Sequence, residues 1–294
     1  MRAAKLIAIY AAAIVGFGAA GTPWVFKLVH PLLPGVPFRR LFDRVALVVA
    51  VVGLWPLLRG LGSRSWRDLG FPCTRRWWQH TLAGLGFGIA SFLASGVLLI
   101  ALGARRLDTD LSAADVMLQL LKFIGIGIAV ALVEETLFRG GLQNALQRAF
   151  GTAAALIVAS SVYSAVHFLK PKGAAVSPEA VTWLSGVDYL GRVLRHSMDA
   201  PGVAVGFVTL FLVGLTLGWA FAKTRALYFS MGLHAGWVMT LKTFALLTSG
   251  GSMINNAATW PVLVVVLLLV AWLCRAKLGA LSDEGVATVA AAGR

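Results

Sequence analysis

Apolar residues gather into eight blocks, near 5–22, 43–58, 80–103, 118–138, 152–169, 202–222, 226–247 and 259–274, with polar and basic residues between them. A helix needs about 20 mostly apolar residues to cross the hydrocarbon of a bilayer. The pattern therefore predicts an all-α fold, a polytopic transmembrane helical bundle of about eight spans. The second block is the shortest and carries Pro56. Gly84-Leu-Gly-Phe-Gly88 in the third suits close helix contact in lipid. The first block, with Arg2 and Lys5 ahead of it and Gly-Ala-Ala-Gly behind, has the layout of a signal peptide. An uncleaved first span is the preferred reading, because the rest of the chain is itself membrane-embedded.

Eight spans put both termini on one side. Lys and Arg fall more often on that side, which predicts a multi-pass protein of the cytoplasmic membrane with cytoplasmic termini. The longest connection, 170–201, holds Pro171, Pro178 and Pro201 and an amphipathic stretch over 181–194. That stretch suits a helix lying on the membrane surface, or a lid over a site. The tail after Arg275 is short and Ala-rich.

Composition agrees with the blocks. Hydrophobic residues make up 59% of the 294 and charged residues 13%, far from the balance of a soluble domain. A soluble enzyme and a disordered protein are both excluded. The net charge of +14 comes from bases set singly or in pairs between blocks, such as Arg39-Arg40, Arg75-Arg76 and Arg105-Arg106. These suit anchors facing the anionic lipid of the bilayer. No basic helix or aromatic platform suggests nucleic acid as a partner. Cys73 and Cys274 have no metal or redox spacing and read as free thiols.

Ionisable groups inside a span are costly and so point to function. Two acids lie inside a block rather than at its edge, Glu134 and Glu135. Two histidines do so as well, His167 late in the fifth block and His234 inside the seventh. Glu135 and Arg139 are spaced i,i+4 and share a face, so an ion pair there is expected. Glu134 lies about 100° away, which predicts that it faces elsewhere, towards the bundle interior. Tyr163 sits one turn before His167. Gly214 and Gly218 form a small-residue seam, which predicts a close approach by the helix carrying His234. Each feature alone fits a structural group or an interfacial ion pair. Together they suggest one site on three spans.

A carboxylate with imidazoles can activate water for attack on a carbonyl. The Glu takes the proton, and the His groups orient the water, bind a metal or stabilise the oxyanion. There is no His-Glu-x-x-His zinc helix, no Gly-x-Ser-x-Gly nucleophile turn and no pair of intramembrane aspartates. A proton-coupled transporter is a rival reading, but no inverted repeat accompanies the acids. A non-catalytic membrane immunity or scaffold protein is the other.

These residues resemble the CPBP family of intramembrane proteases, which includes the type II CAAX prenyl endopeptidases and bacterial bacteriocin-processing relatives. The first motif, Glu-Glu-x-x-x-Arg, is matched by Glu134, Glu135 and Arg139. The second, an aromatic four residues before His, is matched by Tyr163 and His167. The third, Phe-x-x-Gly-x-x-x-Gly leading to a distal His, is matched by Phe211, Gly214, Gly218 and His234. The resemblance implies an intramembrane cavity and hydrolysis near the C-terminus of a membrane-anchored protein or peptide substrate. It divides the chain into N-terminal spans (1–117), a protease-like core (118–247) with 170–201 inserted, and a C-terminal span with its tail (248–294).

It further implies catalytic roles for Glu134, His167 and His234, with Glu135, Arg139 and Tyr163 in support. A divalent metal such as zinc, held by Glu134, His167 and His234, and a metal-free glutamate mechanism both stay open. One position departs from the pattern. Val238 stands where relatives often carry Asn or Asp, so a prenylated substrate is not specifically indicated.

Overall fold

The computed structural model describes residues 2–63, 65–108, 112–168, 176–199 and 202–250. The expected block at 259–274, the tail and Cys274 lie outside the described residues. Helices dominate: α1 (Arg2–Val29), α2 (Phe38–Gly60), α3 (Trp77–Ala101), α4 (Ala113–Glu135), α5 (Asn144–Phe150), α6 (Thr152–Phe168), α7 (Ser185–Asp199), α8 (Val203–Thr224) and α9 (Tyr228–Leu247). A π-helical segment, Thr136–Gln143, joins α4 to α5 without a break. Among the described residues, five stretches are long and apolar enough to cross a membrane: Lys5–Val29, Phe38–Gly60, Trp77–Ala101, Ala113–Phe150 and Val203–Thr224. The chain is an integral membrane protein with an all-α architecture. Helix α6 is apolar but shorter, and α9 is diluted by His234 and Lys242.

The chain forms two compact units. The first comprises Met1–Arg64 and Ala165–Val203. Here α1 runs beyond the expected span, through Pro23 to Val29. Proline removes one backbone donor and leaves the carbonyl four residues earlier, on Ala19, without its helical partner. Gly186 of α7 packs its backbone against that carbonyl, so closely that a Cβ there would overlap it. The buried face of α7 continues with Tyr189 and Val193, which pack on Phe26, Phe38 and Leu41. Its opposite side leaves Val187 and Leu194 exposed. The amphipathic stretch seen in the sequence is thus docked on α1 and α2 along one face.

The second unit comprises Ser65–Ser164 and Ala204–Arg294. Its central contact is α3 against α9, made by glycines on both sides. A Cβ on Gly84 or Gly88 would meet the backbone of α9 at Phe229 and Leu233. A Cβ on Gly232 or Gly236 would meet α3 at Thr81 and Leu85. Glycine removes the side chain that would hold the helices apart, so van der Waals contact runs backbone to backbone. Trp237 Nε1 donates to Ser91 Oγ across the same contact at 3.0 Å. On its next face α9 meets α4, where Gly127 receives Met239.

The glycine seam of α8 serves different neighbours from those expected. A Cβ on Gly214 would touch Ser160 of α6, and one on Gly218 would touch the Gln143 side chain and Leu156. The expected close approach to α9 is therefore made by α3, not by this seam. A short two-stranded ribbon, Arg105–Leu107 antiparallel to Thr248–Gly250, ties the far end of α3 to that of α9. Arg105 is buried there and donates to Thr248 Oγ1 and to the Thr248 carbonyl, both at 2.7 Å. It is a structural cation, whereas its neighbour Arg106 is exposed as a lipid-facing anchor would be.

Candidate functional site

The last turn of α4 places Glu134 and Glu135 beside α9. The two carboxylates do not diverge as helical spacing predicts. They flank a single imidazole. Glu135 Oε1 lies 2.9 Å from His234 Nδ1, and Glu134 Oε2 lies 3.8 Å from His234 Nε2. A side chain placed between two neighbouring helix positions can be reached from both, because the ring presents a nitrogen on each edge. The burial is also the reverse of the expectation. The Glu135 side chain is fully buried, while Glu134 is 26% exposed.

The expected ion pair is present. Arg139 Nη1 donates to Glu135 Oε1 at 2.9 Å. Arg139 is the largest fully buried side chain among the described residues, and each part of it is engaged. Its Nη2 donates to the Gly214 carbonyl at 3.3 Å, and its guanidinium lies 4.6 Å from the Tyr163 ring centre. A planar cation of this kind can pair, donate and stack at once, which lysine cannot do. Tyr163 also meets Phe138 edge-on at 5.2 Å and His234 at 6.3 Å. Glu135 is therefore spent on two donors, and its oxygen fixes the ring orientation of His234. Because a carboxylate only accepts, Nδ1 carries the hydrogen in that contact. In the neutral ring Nε2 is then an acceptor turned towards Glu134.

The π-helical segment is part of this construction. Its wider turn places Arg139 and Gln143 on the side facing α8, and such segments recur at functional sites. Gln143, buried, donates to the Gly218 carbonyl at 2.8 Å, one turn beyond the Arg139 contact with Gly214. Sequence reasoning missed Gln143. Its signal was an amide four residues beyond Arg139, matched to a glycine pair of the same spacing on α8. Gly140 itself lies against the Leu69 carbonyl.

The site thus gathers Glu134, Glu135, Arg139, Tyr163 and His234 within the second unit. His167 lies on the last turn of α6, four residues after Tyr163 and within the first unit. Val238 follows His234 by one turn of α9 and is half-buried. Among the described residues, no group of three or more His, Cys, Asp and Glu side chains converges as a metal site. The pair Glu134 and His234 offers two donors, which do not make a complete ligand set.

Residues 116–240 match the family model "Type II CAAX prenyl endopeptidase Rce1-like". The matched stretch contains every residue named in this site and His167. Among curated proteins, none matches the chain.

Proposed function

We propose that this chain, whose residues 116–240 match the Rce1-like model of type II CAAX prenyl endopeptidases, is an intramembrane endopeptidase with Glu134 as its general base. The observation that supports it is the pair of carboxylates on one imidazole. Glu135, held by Arg139, aligns His234, and this leaves Nε2 facing the more exposed Glu134 across 3.8 Å. That separation is too long for a direct hydrogen bond, and in this reading a water bridges the two groups. Glu134 accepts one proton of the water as its oxygen attacks the peptide carbonyl. His234 Nε2 orients the other hydrogen. The tetrahedral oxyanion then collapses, the C–N bond breaks, and Glu134 returns its proton to the leaving amine. One water and one peptide bond give a carboxylate terminus and an amine, and both catalytic groups are regenerated. His167 joins as a further group that holds the water or the oxyanion, on the strength of its motif position.

The substrate is a membrane-anchored protein cleaved near its C-terminus, and the protein sits in the cytoplasmic membrane with cytoplasmic termini. The test is co-expression with tagged candidate substrates that carry C-terminal anchors, with and without a prenylation signal. The C-terminal mass of each is then read. A truncation that needs this protein identifies the substrate class. No truncation of any anchored candidate argues for the immunity or scaffold reading instead. In the purified system, cleavage that persists in chelator would assign the metal-free glutamate mechanism. A loss restored by zinc would assign a metal to Glu134, His167 and His234.

A further inference from the structure

A cleft lies in the second unit, apart from the residues of the proposed hydrolytic site. The 3₁₀ turn Trp66–Leu69 ends at Gly70, whose positive φ of 93° turns the chain into an extended segment over 71–74. A Cβ on Gly70 would strike Phe221 and Leu227, so glycine is needed for space as well. Two hydrogen bonds pin the segment to the start of α9. Leu227 N donates to the Gly70 carbonyl at 2.8 Å, and the Tyr228 hydroxyl donates to the Pro72 carbonyl at 2.9 Å. Rings continue the wall. Trp66 meets Phe71, Phe71 meets Tyr228, and Tyr228 meets Trp77, with centroids 6.0 to 6.1 Å apart. The cleft between this segment and the starts of α3 and α9 has a volume of about 640 Å³ and is lined by Cys73, Thr74, Arg75, Trp77 and Tyr228.

The lining has a definite chemistry. None of the five residues is acidic. The Tyr228 hydrogen is already spent on Pro72. What remains are donors: the Arg75 guanidinium, the Trp77 indole N–H and the Thr74 hydroxyl. The Thr74 oxygen is buried and has no hydrogen-bond partner, and leaving such a group unpaired is costly. Donors over aromatic faces suit a group with anionic oxygens at one end and an apolar body at the other. The volume lies within the range of sites for small organic ligands and far exceeds what an ion alone fills. The cleft opens where α3, a membrane-crossing stretch, begins at Trp77-Trp78, and Arg and Trp cluster at the depth of lipid headgroups.

We propose that the Thr74–Arg75–Trp77–Tyr228 cleft is a binding site for a phosphate-bearing ligand, the glycerophosphate headgroup of an anionic lipid. Arg75 and Thr74 hold the phosphate oxygens, and Trp77 and Tyr228 cover the glycerol and the first methylenes. The site is independent of hydrolysis at Glu134.

Cys73 provides the readout, since its thiol is exposed on the cleft wall. The full-length protein, in a Cys274→Ser background so that one thiol reports, is labelled in detergent with the uncharged reagent N-ethylmaleimide. Labelling is timed alone and with short-chain phosphatidylglycerol, short-chain phosphatidylcholine or inorganic phosphate. The expected result is labelling about fivefold slower at a phosphatidylglycerol concentration several times its dissociation constant. Phosphatidylcholine should protect little, and phosphate should protect only at far higher concentration. Within Arg75→Gln and Thr74→Val the ratio with and without phosphatidylglycerol should fall towards one. Each ratio is internal to its variant, so a changed thiol reactivity does not enter. Equal protection by phosphatidylcholine, or protection that survives Arg75→Gln, would overturn the proposal. Protection by inorganic phosphate at the same concentration as the lipid would overturn the lipid as the source.

Discussion

Glu134 and Glu135 are neighbours with the same side chain, and their surroundings give them different tasks. Glu135 has no exposure and accepts from Arg139 and His234 through one oxygen, so it works as a fixed acceptor. Glu134 keeps partial exposure and faces a ring nitrogen whose orientation Glu135 sets. Arg139 shows what this arrangement costs to disturb. Arg139→Leu would leave a buried carboxylate without its cation and is expected to destabilise the protein by about 3–5 kcal/mol. Thermal unfolding in detergent measures it. Arg139→Lys should rescue only part of this loss, because an ammonium cannot pair with Glu135, reach the Gly214 carbonyl and stack on Tyr163 together. Equal stability of Arg139→Lys and the parent protein would show that the stacking and the carbonyl contact contribute little.

Helix contacts are set by where glycine permits backbones to touch. Gly84→Ala and Gly232→Ala each place a methyl against a facing backbone atom that cannot rotate away. Both should lower the unfolding temperature sharply, whereas Gly86→Ala, with open space around it, should be neutral or slightly stabilising through helix propensity. In the first unit Gly186→Ala should act like Gly84→Ala and free α7 from α1, and limited proteolysis within 176–199 would detect it. If Gly84→Ala and Gly86→Ala behaved alike, the backbone-to-backbone contact would be wrong. The sequence made one side of this contact visible, since Gly84-x-Gly-x-Gly88 stands out in an apolar block. The other side, Gly232 and Gly236, brackets His234 and drew no notice beside it. The seam at Gly214 and Gly218 was legible as a seam, but not its neighbours. Small residues announce that something comes close, and only the fold decides which helix does. The π-helical segment was invisible for a related reason. The spacing of Glu135 and Arg139 fits an α-turn, and the wider turn serves contacts to α8 that lie 75 residues away in the chain.

At the scale of the whole molecule, hydrophobic patterning alone located the long membrane-crossing helices among the described residues, because lipid demands long apolar stretches and internally satisfied backbone. The ion pair followed from the i,i+4 spacing of Glu135 and Arg139, and one site on three spans from the rarity of ionisable groups inside apolar blocks. The convergence of both carboxylates on one imidazole did not, since it depends on how α9 is pressed against α4 by α3. Two adjacent residues are therefore separated by property. Glu134 carries the reaction and Glu135 carries the architecture. The most direct test is a paired comparison of Glu134→Gln and Glu135→Gln in the purified protein, with cleavage rate and thermal unfolding measured on the same samples. Glu134→Gln should unfold at the parent temperature and lose about 10²-fold or more in rate. Glu135→Gln should lose stability as well as activity. A Glu134→Gln protein that cleaves at the parent rate would contradict the account.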